Sequence, residues 1–246
     1  MRRRRRNRGS RDDEQVRRTN TAGLTVLDEH GERIHVAPAA VTASIRYLLA
    51  RIQLNDAAGL PRRMALTSAL RGEGVTFITR TLGAVIAHDL KKTVCVVDLN
   101  WWSMPVRSSD AEKRFGIADV VRGQAALDEV LMATDDPALW LASAGEVSIP
   151  NRPVLAKDDQ LDHVLDELSA QFDHLLLELP AVLETSDALT LVRLCDAYAM
   201  VVHQGVTTEK QVRQALDELS GAVSLGVVLN RSTTRIPRRL VNLLSQ

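Results

Sequence analysis

Two rhythms of apolar residues alternate along this chain. Residues 64–68, 93–98, 140–142, 173–180, 198–202 and 226–230 are short, nearly uninterrupted apolar runs, as strands buried on both faces require. Between them the apolar residues recur at helical spacing: Ile45, Leu48, Leu49 and Ile52 within 41–54, Ile78, Leu82, Val85 and Ile86 within 76–89, and Leu161, Val164, Leu165 and Leu168 within 158–172. Residues 186–194 and 209–219 read as further helices, and 117–121 and 126–132 as two short helices around Gly123. Residues 24–27 form a short strand or an extended lead-in, and 236–244 a short, basic, partly amphipathic tail. Helices alternating with buried strands predict an α/β fold with a doubly wound, mostly parallel sheet.

With 246 residues and 45% hydrophobic content the chain can bury a full core. The expected organisation is an Arg-rich disordered arm over 1–21, a lead-in with a helix over 22–60, and a single domain over 61–246. Aromatic residues make up only 3%, so Leu, Val, Ile and Ala must fill that core. Cys95 and Cys195 lie in apolar contexts without metal-ligand spacing and read as buried thiols in a reducing compartment. The zero net charge hides an asymmetry: residues 1–18 hold nine Arg against Asp12, Asp13 and Glu14, which makes the arm +6 and leaves −6 to the rest. Such an arm is a solvated tail, or it contacts an anionic membrane surface or nucleic acid through nonspecific charge. It carries no aromatic residue for base stacking, which argues against sequence-specific nucleic-acid readout. No apolar stretch of signal-peptide type follows the arginines, and none approaches the roughly 20 residues needed to cross a bilayer. The expected location is cytoplasmic, or peripheral at the inner face of the membrane.

The stretch from strand 64–68 to Asp98 carries the candidate chemistry. Arg71-Gly72-Glu73-Gly74 forms a turn between a buried strand and a helix opened by Thr76, and the next strand ends in an acid. That is the frame of a phosphate-binding βαβ unit, in which backbone N–H groups cradle phosphates, a Lys reaches the β/γ oxygens and a Ser or Thr holds Mg²⁺. The position for the Lys is Val75. Gly72 and Gly74 leave room for an anion nest, Thr76 supplies a hydroxyl for Mg²⁺ or phosphate, and Asp98 is a candidate metal-site acid. The alternative is a structural relic in which Thr76 only starts a helix. Arg71 is the nearest cation that could replace the Lys, although an Arg in a turn is usually solvated. His88, His163, His174 and His203 are not paired at metal-ligand spacing, and Ser68 and Ser186 lack the partners of a nucleophilic hydrolase.

Taken together, these motifs resemble the cytoplasmic domain of bacterial tyrosine kinases of capsule and exopolysaccharide synthesis, within the MinD/ParA-like deviant P-loop ATPases. Residues 68–76 resemble the family pattern Ser-Ala-x-Pro-Gly-Glu-Gly-Lys-Ser/Thr. Val96-Val97-Asp98-Leu99-Asn100 followed by Pro105 resembles its second acidic motif, Pro150-Asn151-Arg152-Pro153 its Pro-Asn-Pro segment, and residues 172–183 with Ser186-Asp187-Ala188 its third acidic run. Residues 226–231 resemble its Gly-Val-Val-Leu-Asn-Arg strand. The resemblance implies that Gly72, Glu73, Gly74, Thr76 and Asn230 face ATP or ADP, with Asn230 on the adenine, and that Thr76 and Asp98 serve Mg²⁺.

Several positions depart from that pattern. Val75 replaces the Lys, Asn100 replaces the second acid of its pair, and Glu178 replaces an Asp near Mg²⁺. Phe77 and Thr81 stand where Thr and Asn are usual. Of the Glu-x-x-Arg-x-x-Arg pattern for ring assembly only Arg46 remains, and the Tyr-rich tail is missing, since Tyr47 and Tyr198 are the only tyrosines. Asp98, Asn100 and Glu178 then read as remnants of catalytic positions, and nucleotide and Mg²⁺ binding as weakened or lost. The leading expectation is a non-catalytic, kinase-like regulatory or scaffold protein of exopolysaccharide assembly. Its implied partners are a membrane chain-length regulator or another polysaccharide-export protein, and further copies of itself. The alternatives are an ATPase or tyrosine kinase whose Lys is supplied by Arg71 or a partner chain, and a MinD/ParA-like positioning protein on membrane or DNA.

Overall fold

Strand β3 (Arg63–Ser68) runs through a seven-stranded sheet between β7 (His174–Glu178) and β8 (Ala197–His203), parallel to both. Beyond β7 lie β4 (Val94–Asp98), β6 (Leu139–Ala142) and the antiparallel edge strand β5 (Leu131–Ala133); beyond β8 lies β9 (Ser224–Asn230). The central strands are short apolar runs because both of their faces are covered: Ala65, Leu66, Val94, Cys95, Val97 and Leu175–Leu177 have no measurable exposure. The computed structural model describes residues 23–55, 59–102 and 115–232. The expected arm, Pro105 and the expected tail over 236–244 lie outside the described residues.

Each face of the sheet has its own apolar cluster. On one face α2 (Val75–Val85) lies across β3, β4 and β7, with α1 (Ala39–Asn55) and the hairpin β1 (Leu24–Leu27)–β2 (Arg33–Ala37) packed over it through Ile45, Leu49, Ile52 and Val26. The opposite face is covered by α3 (Ile117–Val121), α4 (Arg152–Leu155), α5 (Asp159–Gln171), α6 (Asp187–Leu191) and α7 (Glu209–Glu218). This is the doubly wound, mostly parallel architecture that the alternating pattern predicts. After Val85, α2 continues as one π-helical turn over Ile86–Leu90, and the chain leaves it through Lys91 at φ 55°.

Three local expectations need correction. Residues 126–132 do not form a helix: only Leu127–Glu129 make a 3₁₀ turn, and Leu131–Ala133 join the sheet as β5. Strand β2 is an element that the apolar pattern misses, because Arg33-Ile34-His35-Val36-Ala37 mixes charge with apolar residues. Its register on β1 and the bond between the His35 ring and Thr81 Oγ1 (2.8 Å) hold it instead. Residues 186–194 divide into α6 and a 3₁₀ turn at Val192–Leu194.

Helix α2 approaches the sheet most closely at Gly83, where a Cβ would stand 2.8 Å from Val96 Cγ2 and 3.2 Å from Leu139 Cδ1. A Gly83→Val substitution forces the helix off β4, and the expected cost is about 1–3 kcal/mol, the usual penalty for overpacking. Urea unfolding would read this as a lower midpoint with an unchanged m value.

Candidate functional site

Parallel strands bring their carboxyl ends to one edge, and the loops that follow β3, β4 and β7 meet there. The loop after β3 is short and bends twice through left-handed glycines, Gly72 at φ 82° and Gly74 at φ 94°. Gly74 is also the residue before the first turn of α2, and a Cβ there would fall 2.2 Å from Asn230 Nδ2. Only glycine fits. Gly72 borders open space, and Thr76 is exposed at the start of the helix, so the loop backbone and the N-terminus of α2 present their N–H groups at the sheet edge. This is chemistry that fits an anionic phosphate chain.

Of the six residues from Arg71 to Thr76, Glu73 turns its side chain into the protein. Its side chain is 3% exposed and accepts from Leu70 N (2.8 Å), from His203 N (3.1 Å) and from the Thr207 hydroxyl. Asn230 Nδ2 donates to the Glu73 carbonyl (2.8 Å), while its Oδ1 accepts from Arg231 N (2.8 Å). Glu73 and Asn230 thus brace the loop against the ends of β8 and β9. In this geometry the Asn230 amide, expected on adenine, ties the loop to the end of β9 through one of its N–H groups.

Val75 is 8% exposed and belongs to the apolar cluster beneath α2. Arg71 is held on the other side: its N–H bonds Glu184 Oε1 (2.7 Å) and its Nε lies 2.9 Å from Glu184 Oε2. Glu184 is brought there because the chain after β7 runs alongside the loop, with Val182 N on Ser68 O and Leu183 N on Ala69 O.

The acids meet at the centre of this edge. Asp98 and Glu178 are register partners at the ends of β4 and β7. Glu178 is 3% exposed and accepts a short hydrogen bond from the Thr76 hydroxyl. Burial pushes the Glu178 carboxyl up to about 8; the neighbouring Asp98 charge adds to the rise, and the Thr76 bond and the Arg80 charge oppose it. Burial likewise raises Asp98 to about 6, against the Asn100 N–H bond (2.8 Å) and Arg80. Two carboxylates and a hydroxyl form an all-oxygen donor set suited to Mg²⁺, which is commonly held by one or two carboxylates plus phosphates. Thr76, Asp98 and Glu178 would hold such a cation, whose charge would offset the acid pair, and the loop backbone would hold phosphates. Among the described residues no group of three His, Cys, Asp or Glu gathers as a metal cluster.

Arg80 is the residue that motif reading misses. It lies one helical turn beyond Thr76, and its charge acts on Asp98, Glu178 and His35. The i, i+4 spacing from Thr76 was the available signal. Asn100 Oδ1 accepts from Trp102 N (3.3 Å). Trp101 Nε1 donates to Ala144 O, and Trp102 Nε1 to buried Asp187 (2.9 Å each), with the Arg152 guanidinium 4.5 Å above the Trp102 ring, so both Trp residues pack rather than stack on a ligand. Burial pushes the thiols of Cys95 and Cys195 up, as inert cysteines require.

Sequence and fold comparisons find similar proteins among bacterial tyrosine kinases and MinD. Tyrosine-protein kinase CpsD of Streptococcus pneumoniae serotype 4 is 27% identical over 171 residues, covering 68% of this chain and 75% of that protein. CpsD of Streptococcus agalactiae is 24% identical over 177 residues, covering 68% and 74%. This chain is similar in sequence and fold to bacterial tyrosine kinases. The BceF tyrosine kinase domain superposes with a TM-score of 0.64 at 26% identity over 77% of this chain and 78% of that one. MinD of Pyrococcus horikoshii, crystallised with Mg-ADP, shares the fold at a TM-score of 0.54 and 20% identity over 74% and 76%. No family model matches the chain. On α1, Leu49 is buried and Arg46 makes a two-point ion pair with Asp89 of its own chain (2.6 and 3.1 Å).

A raised carboxyl pKa means that the folded state holds its proton more tightly than the unfolded state. Stability from Glu178 is therefore full below the ordinary value near 4.5 and is lost as pH rises through about 8. His35 slopes the other way: burial lowers it to about 4, so its contribution is present above 6.5 and lost on acidification. In metal-free buffer, raising pH from about 7 to about 9, where His35 is mostly neutral in both states, should cost about 1.4 kcal/mol through Glu178 and lower the melting temperature by about 3–5 °C. Glu178→Gln should flatten that slope, as read by calorimetric melts across the range.

Proposed function

We propose that this chain is a kinase-like nucleotide-site protein that works by binding rather than by phosphoryl transfer, as a regulatory or scaffold component of exopolysaccharide or capsule assembly. The observation that carries this reading is the placement of Val75. An apolar side chain packed into the core under α2 cannot stabilise charge developing on a transferring phosphoryl group. Arg71, the nearest candidate substitute, is engaged with Glu184. The backbone nest at Gly72 and Gly74 and the oxygen donors Thr76, Asp98 and Glu178 support retained binding of ATP or ADP with a divalent cation, at lower affinity than a Lys would give. Losing hydrogen bonds to a charged group costs about 1.5–3 kcal/mol, or roughly 10- to 100-fold in affinity.

The proposed partner is a membrane chain-length regulator or another polysaccharide-export protein, with the Arg-rich arm contacting anionic lipid at the inner face of the membrane. Among the described residues no helix is long and apolar enough to cross a membrane.

Calorimetric titration of the purified chain with ATP and ADP, with and without Mg²⁺, tests the reading alongside a phosphate-release assay. Expected are weak, Mg²⁺-enhanced binding and no turnover, with Val75→Lys tightening binding about tenfold or more. Robust Mg²⁺-dependent ATP hydrolysis or tyrosine phosphorylation by the unmodified chain would overturn it.

A further inference from the structure

Phe77 and Thr81 depart from the motif that the loop resembles, and the proposed binding gives them no part. With Arg80 they fall at i, i+3 and i+4 on the first two turns of α2, and strand β2 meets all three. The His35 ring lies 5.1 Å from that of Phe77, centroid to centroid, and its Nε2 is 2.8 Å from Thr81 Oγ1. The Thr81 hydroxyl already donates to Phe77 O (2.7 Å), so it can only accept from His35, whose Nε2 carries the hydrogen. One residue earlier, Ile34 O accepts from Arg80 Nη1 (3.4 Å). Both His35 and Thr81 are buried, so water does not compete for the bond between them.

The hairpin that carries His35 is itself fastened. Its first strand exchanges two hydrogen bonds with the turn after β5, Leu27 N to Asp135 Oδ1 (2.8 Å) and Asp135 N to Leu27 O (3.1 Å), and Asp28 bridges Thr134. The hairpin therefore spans from the edge of the sheet to α2 as a strap tied at both ends. What it grips is the part of α2 that the site uses. Thr76, which bonds Glu178, directly precedes Phe77, and Arg80, whose charge acts on both acids, is one of the three gripped residues. Apolar packing beneath α2 resists lifting of the helix but has no direction, whereas a hydrogen bond fixes a helix about its own axis. We infer that His35 is a positioning residue for the candidate site: through Thr81 and Phe77 it fixes the first two turns of α2, and so where Thr76 and Arg80 stand against Asp98 and Glu178. The inference deepens the proposed binding of nucleotide and cation, on which its affinity readout rests; the helix can be followed without a ligand.

Hydrogen–deuterium exchange of the ligand-free chain, paired with calorimetric titration by ADP and Mg²⁺, tests this. His35→Ala should speed exchange of the amides in 78–82 by about tenfold. It should also weaken Mg·ADP binding by about tenfold, the scale on which removing a group that orients a ligand acts. His35→Gln, which offers an N–H at about the place of Nε2, should restore both. Thr81→Val, which keeps the shape and strands the His35 N–H, should act as His35→Ala does. Leu168→Ala, in the core of the opposite face, should lower the melting temperature and move neither readout. The inference is overturned if exchange in 78–82 is unchanged in His35→Ala and Thr81→Val, if Leu168→Ala speeds it as much, or if His35→Gln does not restore it. Faster exchange with unchanged Mg·ADP affinity also overturns it, since the strap then serves only the fold. If the unmodified chain binds no Mg·ADP, the binding reading falls, and exchange alone decides the positioning.

Discussion

Asp98 and Glu178 end two neighbouring parallel strands in register, so the fold sets two carboxylates side by side at the carboxyl edge of its sheet. Nothing in the strand pairing can relieve this, because the register is fixed by the apolar residues behind them, Val94–Val97 against His174–Leu177. Relief comes from α2. Its first turn brings the Thr76 hydroxyl to Glu178, and its second brings the charge of Arg80 to bear on both acids. The close approach of α2 at Gly83 therefore does more than fill the core: it fixes where those two compensating groups can stand.

The loop before α2 owes its shape to protein contacts. Glu73, Asn230, His203 and Thr207 brace it from behind, Glu184 holds Arg71 at its side, and Ser68 Oγ donates to Leu70 O within it. No buried side-chain nitrogen or oxygen among the described residues lacks a hydrogen-bond partner. A loop braced in this way keeps its left-handed glycines in place without a bound anion, so its geometry and the chemistry of its missing Lys are separable properties.

The central strands and the longer helices were legible because their signals are strong: strands buried on both faces read as apolar runs, and α2 and α5 carry a clear apolar stripe. β2 and β5 were not: β2 mixes charge with apolar residues, β5 has three apolar residues, too few to show a period, and the identity of each lies in its partner. At the site, Asp98, Glu178 and Thr76 could each be picked out from the sequence, but their meeting depends on β4 and β7 becoming neighbours across a long stretch of chain. The bracing by Glu73 was hidden for a related reason: of its three donors only Leu70 N is near in sequence, and His203 N and the Thr207 hydroxyl come from the end of β8 and the turn after it.

Val75 separates the two tasks of a phosphate loop. The backbone N–H groups act on charge that a bound phosphate already has, so they serve binding whether or not chemistry follows. A Lys at this position acts on charge that grows during transfer, and a Val contributes nothing there. It contributes instead to the core: a Val side chain removed from water is worth about 1.5 kcal/mol or more to the fold. Restoring the Lys would exchange that burial for a charge that must find its way out to the loop face. On the proposed reading, the substitution has moved one residue's free energy from the reaction to the fold, while the groups that recognise a phosphate or a cation stay where the sheet puts them.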